Sequence, residues 1–484
     1  MEKIGQINLS TAGLEVRSDD KSGRLARETT ILDGGFRSLS DHDRTNRLFN
    51  VSANRVTIRG LILRNAMARG AGAGANITGS AFTLADCTLT NLHGRIATAD
   101  GGALAYSATS GMGHVITNCL VTKCGANAYG GALFAATTLS SYAAPQKDYL
   151  LIFNSTFANN TSDKWSIDAP SHSTRGLLSA PVYAINCVFR DSSAALFGDR
   201  ANYSILRECT LEKVVGGLSY PVNVVRVYDS RFDKCAGSLN PNLLERCTIT
   251  GHVDQNGANT TVSCGTLRNC LYTNNNFPLA VGASVIVDNC TIVSNNTGGI
   301  LLGPAGGGGK FVNCVVFGNK FKNYGSPGGY RNFCYRSQWA GSASSSLVIS
   351  NCYIEGAASY SVSGYKGQYV DPATGTWVTG DGSAKSLLSF DPSGTSSNIT
   401  AAADAAKARV FVDWTNGDWR LPRKSPLRDA GLLRSWMVEG ATDMDGNPRL
   451  TDRFGNPFAS DALPDIGCYE CQIRTPRGTT FMVQ

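Results

Sequence analysis

The chain has 484 residues, of which 17% are charged, with 53 glycines, 15 cysteines and a formal net charge of +7. Globular proteins carry about 25% charged residues, so this composition excludes a disordered polyelectrolyte and a charged coiled coil, and the length excludes a small disulfide-stapled scaffold. The positive charge comes without a dense Lys/Arg block, so nucleic acid is not an expected partner, and the absence of a run of about 18 apolar residues argues against a membrane span.

The chain opens on "MEKIGQINLSTAGLEVRS", which lacks the basic and apolar regions of a secretory signal. "INLSTAGLEV", starting at Ile7, already reads as strand, as though the chain were cut from a longer one. A secreted or cell-surface location is therefore expected, with the signal absent from this sequence. Next come "TILDGG" at Thr30, an acidic "DHD" containing Asp41 and Asp43, and "NRVTIRGLILRN" from Asn54 to Asn65. In the last of these, period-2 alternation turns Val56 and Ile58 inward and leaves Arg55 and Arg59 outside on a common face.

From there one phrase recurs: "NCLVTKC" at Asn118, "NCVFRDS" at Asn186, "NCLYTNN" at Asn269, "NCTIVSN" at Asn289, "NCVVFGN" at Asn313 and "NCYIEG" at Asn351. The equivalent positions are Cys87, Cys119, Ser155, Cys187, Cys209, Ser230, Cys247, Cys270, Cys290, Cys314 and Cys352, and six of the ten successive spacings fall between 17 and 24. The longer spacings carry insertions such as "AATTLSSYAAPQKDY" (Ala135 to Tyr149) and "KFKNYGSPGGYRNF" (Lys320 to Phe333). Short period-2 strands, Asn/Gly turns and no crossover helices predict an all-β fold, a right-handed parallel β-helix in which each repeat is one coil and each strand pairs with its equivalent in the next. Cys and the apolar residue two places on then point into the interior, and the Asn before Cys marks a corner.

Stacked coils bring equivalent Cα atoms within about 4.8 Å, but parallel side chains in register meet the torsional needs of a disulfide poorly. The expected core is therefore a reduced stack of Cys87, Cys119, Cys187, Cys209, Cys247, Cys270, Cys290, Cys314 and Cys352. Exceptions, if any, are expected at Cys119 with Cys124 and at Cys468 with Cys471; for the latter, one buried and one surface thiol is the expectation.

The chain divides into a β-helix over residues 1–360, a Gly/Ser-rich loop excursion over 361–400, and a C-terminal cap over 401–484. The last part holds "DWRL", "SPLRDAG", "TDMDGNPR" and "DIGCYE" in order. Following N-C-x-[LIV] coils, this tail resembles the end of large bacterial surface-associated β-helix proteins of the pectate-lyase-like superfamily. The resemblance covers about the last 70 residues closely and the coils loosely. It implies the fold, and it leaves activity open, since that superfamily includes lyases, hydrolases, epimerases and adhesins. Physically, Pro422, Pro426, Pro448 and Pro464 forbid regular pairing while Trp414, Trp419 and Tyr469 supply bulk, which suits a loop-rich cap over otherwise exposed core. Asp443 and Asp445 in "DMDG" invite a calcium reading, but Gly446 follows directly and no downstream Glu completes the loop, so a turn is the better expectation.

A lyase on this fold would need calcium or another cation to neutralise a uronate and a Lys or Arg to take the proton, which makes Arg55, Arg59 and Arg64, with Asp41 and Asp43, the candidates. The superfamily's polygalacturonase and epimerase patterns are missing, and the five histidines are scattered without ligand spacing. Two expectations remain. The first is a non-enzymatic secreted or surface module, structural or adhesive, without a cofactor, binding polysaccharide through its insertions and exposed Tyr, Trp and Arg, or stacking its first coil on a neighbouring domain or copy. The second is a polysaccharide lyase or related carbohydrate-active enzyme, with calcium.

Overall fold

The computed structural model describes residues 6–472 except 19–29, 37–45, 95–100, 107–112, 127–129, 137, 143–145, 162–175, 199, 217–224, 238, 240, 254–260, 263–264, 277, 282–284, 297, 303–308, 321–332, 336–345, 356–360, 363–367, 371–376, 380–384, 387–398, 402–409 and 453–454. The fold is all-β, a parallel β-helix whose strands stack coil upon coil in three faces, here called A, B and C. It forms two compact units, Met1–Asn242 with Val253–Thr260, and Leu243–His252 with Thr261–Gln484.

In the first unit, face A runs from Ile7–Leu9 through Phe49–Val51, Ala75–Ile77, Leu104–Tyr106 and Leu133–Ala135 to Leu178–Ser179. Face B starts at Glu15–Arg17 and reaches Arg226–Tyr228, and face C starts at Ile31–Asp33 and reaches Arg231–Asp233. In the second unit, face B runs from Leu243–Glu245 to Gln368–Val370 and ends on the antiparallel strand Trp377–Thr379. Its face C runs from Thr248–Thr250 to Ile399–Ala401, so coiling continues into the segment after residue 360.

Register places like on like. The middle residues of face B in the first unit, Ile58, Leu84, Ile116, Ile152, Ala184, Leu206 and Val227, form one buried column. The expected inward pairs are buried as well, including Cys290 with Ile292 and Cys314 with Val316.

The residue before each Cys turns out to be fixed by backbone geometry. Asn118, Asn154, Asn186, Asn269, Asn289, Asn313 and Asn351 all have φ between 47° and 53°, the left-handed region. Asp86, Glu208, Asp229 and Arg246 hold the same place with the same φ. Asn is the non-glycine residue that tolerates this conformation best, which is why it recurs at the corner between faces B and C. Five positions further on lies a second left-handed column, including Asn65, Asn91, Asn159, Asn274 and Gly318.

The cysteine column does more than fill space. Among the described residues no disulfide forms and all thirteen cysteines are buried, so neither Cys119 and Cys124 nor Cys468 and Cys471 are bonded. Cys471 is only 6% exposed and Cys468 0%, which corrects the expected surface thiol: the tail folds both inward. Along the column each Sγ meets the carbonyl oxygen two residues back, at 3.1 Å for Cys87 and 3.2 Å for Cys119, Cys314 and Cys352. The same group accepts from the corner N–H of the preceding coil: Ser155 Oγ takes Cys119 N–H at 3.0 Å, and Cys352 Sγ takes Cys314 N–H at 3.3 Å. A small side chain that both donates and accepts satisfies a backbone group the strand ladder leaves over.

A third column was not anticipated. Asn160, Asn275, Asn295 and Asn319 are buried at 0–1% exposure, six positions after the corner asparagines. Asn295 Nδ2 donates to Asn319 Oδ1 at 2.8 Å and Asn275 Nδ2 to Asn295 Oδ1 at 3.0 Å, while Asn319 Nδ2 donates to the Ile292 carbonyl at 3.0 Å. The ladder keeps every amide partnered inside a dry core.

From residue 410 to residue 472 the described chain is loop-rich and packs along the flank of face C in the second unit. Phe317 points outward and meets Phe411, Trp414 and Trp419 at ring distances of 5.3, 5.9 and 6.3 Å. Leu271, Val293, Val315 and Tyr353 join it in one cluster with Leu421, Leu427 and Ile466. The corner asparagines hold the cap's backbone: Asn269 Nδ2 donates to Thr442 O, Asn289 Nδ2 to Asp465 O, and Asn313 both donates to Leu432 O at 2.8 Å and accepts from Leu432 N at 2.7 Å.

Candidate functional site

The arginines singled out as catalytic candidates occupy three different places. Arg55 sits in a left-handed turn, φ 58°, ahead of its strand, and is exposed. Arg59 lies on face B, where Nε donates to Asp86 Oδ2 at 2.9 Å; Arg64 lies on face C, where Nε donates to Asp33 Oδ2 at 2.9 Å. Burial opposes ionisation of Asp33, but hydrogen bonds from Gly35, Asn65 and Arg64 outweigh it and hold the carboxyl below its usual range. Asp41 and Asp43 lie outside the described residues.

Asp443 is fully buried and its oxygens are taken by protein donors: Oδ1 by Asp445 N and Asn447 N at 2.9 and 2.8 Å, Oδ2 by Glu470 N at 2.9 Å. That is the turn reading, with Gly446 at φ 82°. A second turn of the same kind follows, in which Asp452 accepts from Asn456 N at 2.7 Å and Gly455 has φ 86°. Among the described residues no group of three or more His, Cys, Asp or Glu is placed to hold a metal ion. His114 is an interior group, its Nδ1 accepting from Phe82 N at 3.1 Å, and burial pushes its pKa down to about 4; burial does the same to His93.

The strongest concentration of recognition chemistry is on the outer side of face B in the first unit. Register stacks Tyr183, Ile205 and Arg226 in one outward column, and Phe153, Ile185, Arg207 and Tyr228 in the next. All seven are only partly buried. The insertion after Ala135 folds back over them: its short 3₁₀ turn Gln146–Asp148 delivers Tyr149 against Tyr183, ring centres 6.0 Å apart, and Tyr142 against Tyr203 at 5.1 Å. Arg200, over the Phe134 ring at 5.3 Å, donates to the Ala136 carbonyl at 3.0 Å and ties down the base of the insertion.

Two guanidinium groups lie on aromatic rings here: Arg226 Cζ is 3.7 Å from the centre of Tyr142, and Arg207 Cζ is 4.3 Å from that of Tyr228. Such contacts are worth about 0.5–2 kcal/mol and fix the plane of the guanidinium while leaving its N–H edge available. Among the described residues neither arginine has a carboxylate partner, and Tyr149 Oη, Asn202 Oδ1 and Arg226 Nε are buried without a hydrogen-bond partner. Burial raises the Tyr142 and Tyr149 phenols, so both stay neutral. The acids nearest in the chain, Glu208 and Asp229, stand on the exposed corner beyond the two columns.

Ring faces, aliphatic side chains and N–H donors on successive coils about 4.8 Å apart suit a linear chain of hydroxylated rings lying along the stack. The arrangement supplies stacking and hydrogen bonding; it brings together no pair of carboxyls and no nucleophile with a base. Comparison with known protein families and with curated proteins finds no match for this chain.

Proposed function

We propose that the protein is a non-enzymatic, secreted or cell-surface β-helix module, structural or adhesive, that holds a polysaccharide chain along face B of its first unit. The observation that carries this reading is Arg226 laid over Tyr142 at 3.7 Å, with the ring supplied by an insertion and the guanidinium by a coil. The insertion buries Tyr149 against Tyr183 and leaves Tyr142 partly exposed with Arg226 on its ring, so an aromatic and cationic edge, rather than aliphatic cover, meets the outer side of the face. A rigid stack also loses little entropy on binding an extended ligand, which favours a scaffold of this kind for adhesion.

The experiment is a glycan array followed by affinity electrophoresis in the polysaccharides that score. Retention by at least one polysaccharide, lost in Tyr142→Ala and Arg226→Ala but kept in Arg55→Ala, is the expected result. Retention unchanged in both variants, or release of unsaturated sugar products that stops in Arg59→Ala, would replace this reading with another surface or with lyase chemistry.

A further inference from the structure

The cap of the second unit encloses a group of buried charges that its covering role does not require. Asp443, Asp465 and Glu470 are 0, 1 and 5% exposed, and the cation among them, Arg449, is 0% exposed. Three carboxyls facing one guanidinium carry an excess of negative charge into a site that water cannot screen, which is costly unless protons are taken up.

The contacts are specific. Arg449 donates to the carbonyls of Asp465 and Gly467, at 2.5 and 2.8 Å, and its Nε lies 3.7 Å from Glu470 Oε2. Glu470 Oε2 accepts from Asp465 N at 3.1 Å, Asp465 Oδ1 from Asp429 N at 2.7 Å and Asp465 Oδ2 from Cys471 N at 2.6 Å. The other groups facing the cluster from the cap are Asp445, exposed beside Asp443, the ion pair of Asp429 with Arg428 at 3.3 Å, Tyr469, and the Cys468 and Cys471 thiols. The coils contribute Thr291 Oγ1, which accepts from Cys468 N, the amides of Asn289 and Asn313, which hold the flanking backbone, the Cys270 thiol near Cys468, and, further along the clasp, buried Asp288, which accepts from Arg434 Nε and Trp436 Nε1 at 2.9 Å each.

We propose that residues 410–472 form a clasp that acid tightens and alkali loosens, with Glu470 as the group that takes up the proton when the clasp is docked on face C. Burial pushes Asp465 up to about 6 and Glu470 well above its ordinary range, with Arg449 opposing both. A carboxyl whose docked pKa is raised favours the docked state fully at pH below its ordinary value, and that contribution fades as pH climbs through the docked value. For Asp465 alone, a rise from 3.8 to about 6 corresponds to a change of about 100-fold in the opening equilibrium over the whole titration, of which about tenfold falls between about pH 5 and about pH 8. Opening bares Leu271, Val293, Val315, Phe317 and Tyr353, an apolar strip along the flank.

The test is amide hydrogen exchange on the full chain at about pH 5 and about pH 8, corrected for intrinsic rates. The expected result is that opening of 410–472 rises at least about tenfold at the higher pH while the coil amides of the first unit do not change, and that Glu470→Gln weakens the dependence. Protection that is flat or increases with pH would overturn the proposal, as would Glu470→Gln retaining the parent slope. If Glu470→Gln fails to fold, carbon-detected titration of the parent's Glu470 carboxyl decides: a value at or below the ordinary glutamate range overturns the clasp.

Discussion

At the scale of single residues, most of the repeated phrase is backbone conformation and hydrogen-bond accounting. Asn precedes Cys because the corner is left-handed, and where Glu208 or Arg246 stands instead the chain holds a conformation those residues disfavour, at φ 52° and 51°. Glu208→Asn should therefore stabilise the protein by about 0.5–1 kcal/mol, read as a shift in denaturant midpoint. The cysteine column makes a sharper distinction. If Cys352 were only an apolar filler, Val would replace it well; because its Sγ accepts the Cys314 N–H, Cys352→Ser should be the milder change and Cys352→Val should cost about 1–3 kcal/mol more. Ser155 and Ser230 already do this job with oxygen, bonding Phe153 O and Tyr228 O at 2.7 and 2.6 Å. The inward cysteines were legible from their period. The buried ladder of Asn275, Asn295 and Asn319 was not, because an Asn-rich turn looks polar in sequence whether its amide faces water or a neighbour's amide.

At the scale of elements, the same corner does two jobs. Asn186 is exposed and its side-chain amide donates to Asn154 Oδ1 at 2.8 Å, whereas Asn313 is buried and grips the backbone of Leu432 through both ends of its amide. Glycine keeps the left-handed turn and deletes the amide, so Asn186→Gly should be nearly neutral and Asn313→Gly should cost about 1–3 kcal/mol and raise exchange in the cap. Phe317→Ala should cost about 3–5 kcal/mol, because it removes the ring that Phe411, Trp414 and Trp419 pack against. The strands that the cap covers can be read off after the fact: Val315 and Phe317, and Leu271, are apolar at outward positions, while Thr88 to Thr90 and Thr156 to Ala158 in the first unit carry Thr or small residues there. A period-2 pattern in which both faces are apolar marks a strand covered on both sides. The tail's prolines and tryptophans announced a cap, but nothing in a one-dimensional pattern says whether a cap closes an end or lies along a side.

At the scale of the whole molecule, repetition sets the fold, and the proposed binding face rests on an interruption of it. The coil period made the β-helix legible from end to end, since each repeat must meet its like. The candidate binding face was legible only in part: the insertion carrying Tyr142 and Tyr149 stood out as an insertion, but Arg207 and Arg226 were not singled out, because only stacking brings a residue of one coil beside a loop inserted several coils earlier. The arginines that local spacing favoured, Arg59 and Arg64, are instead tied to Asp86 and Asp33 on separate faces.

The most direct test is affinity electrophoresis of the parent and of Tyr142→Ala through polysaccharides that the glycan array selects. Retarded migration of the parent, with the dissociation constant of Tyr142→Ala weakened about tenfold or more and its circular dichroism unchanged, is the predicted result. Equal retardation of the two proteins would contradict the assignment of face B as the binding surface.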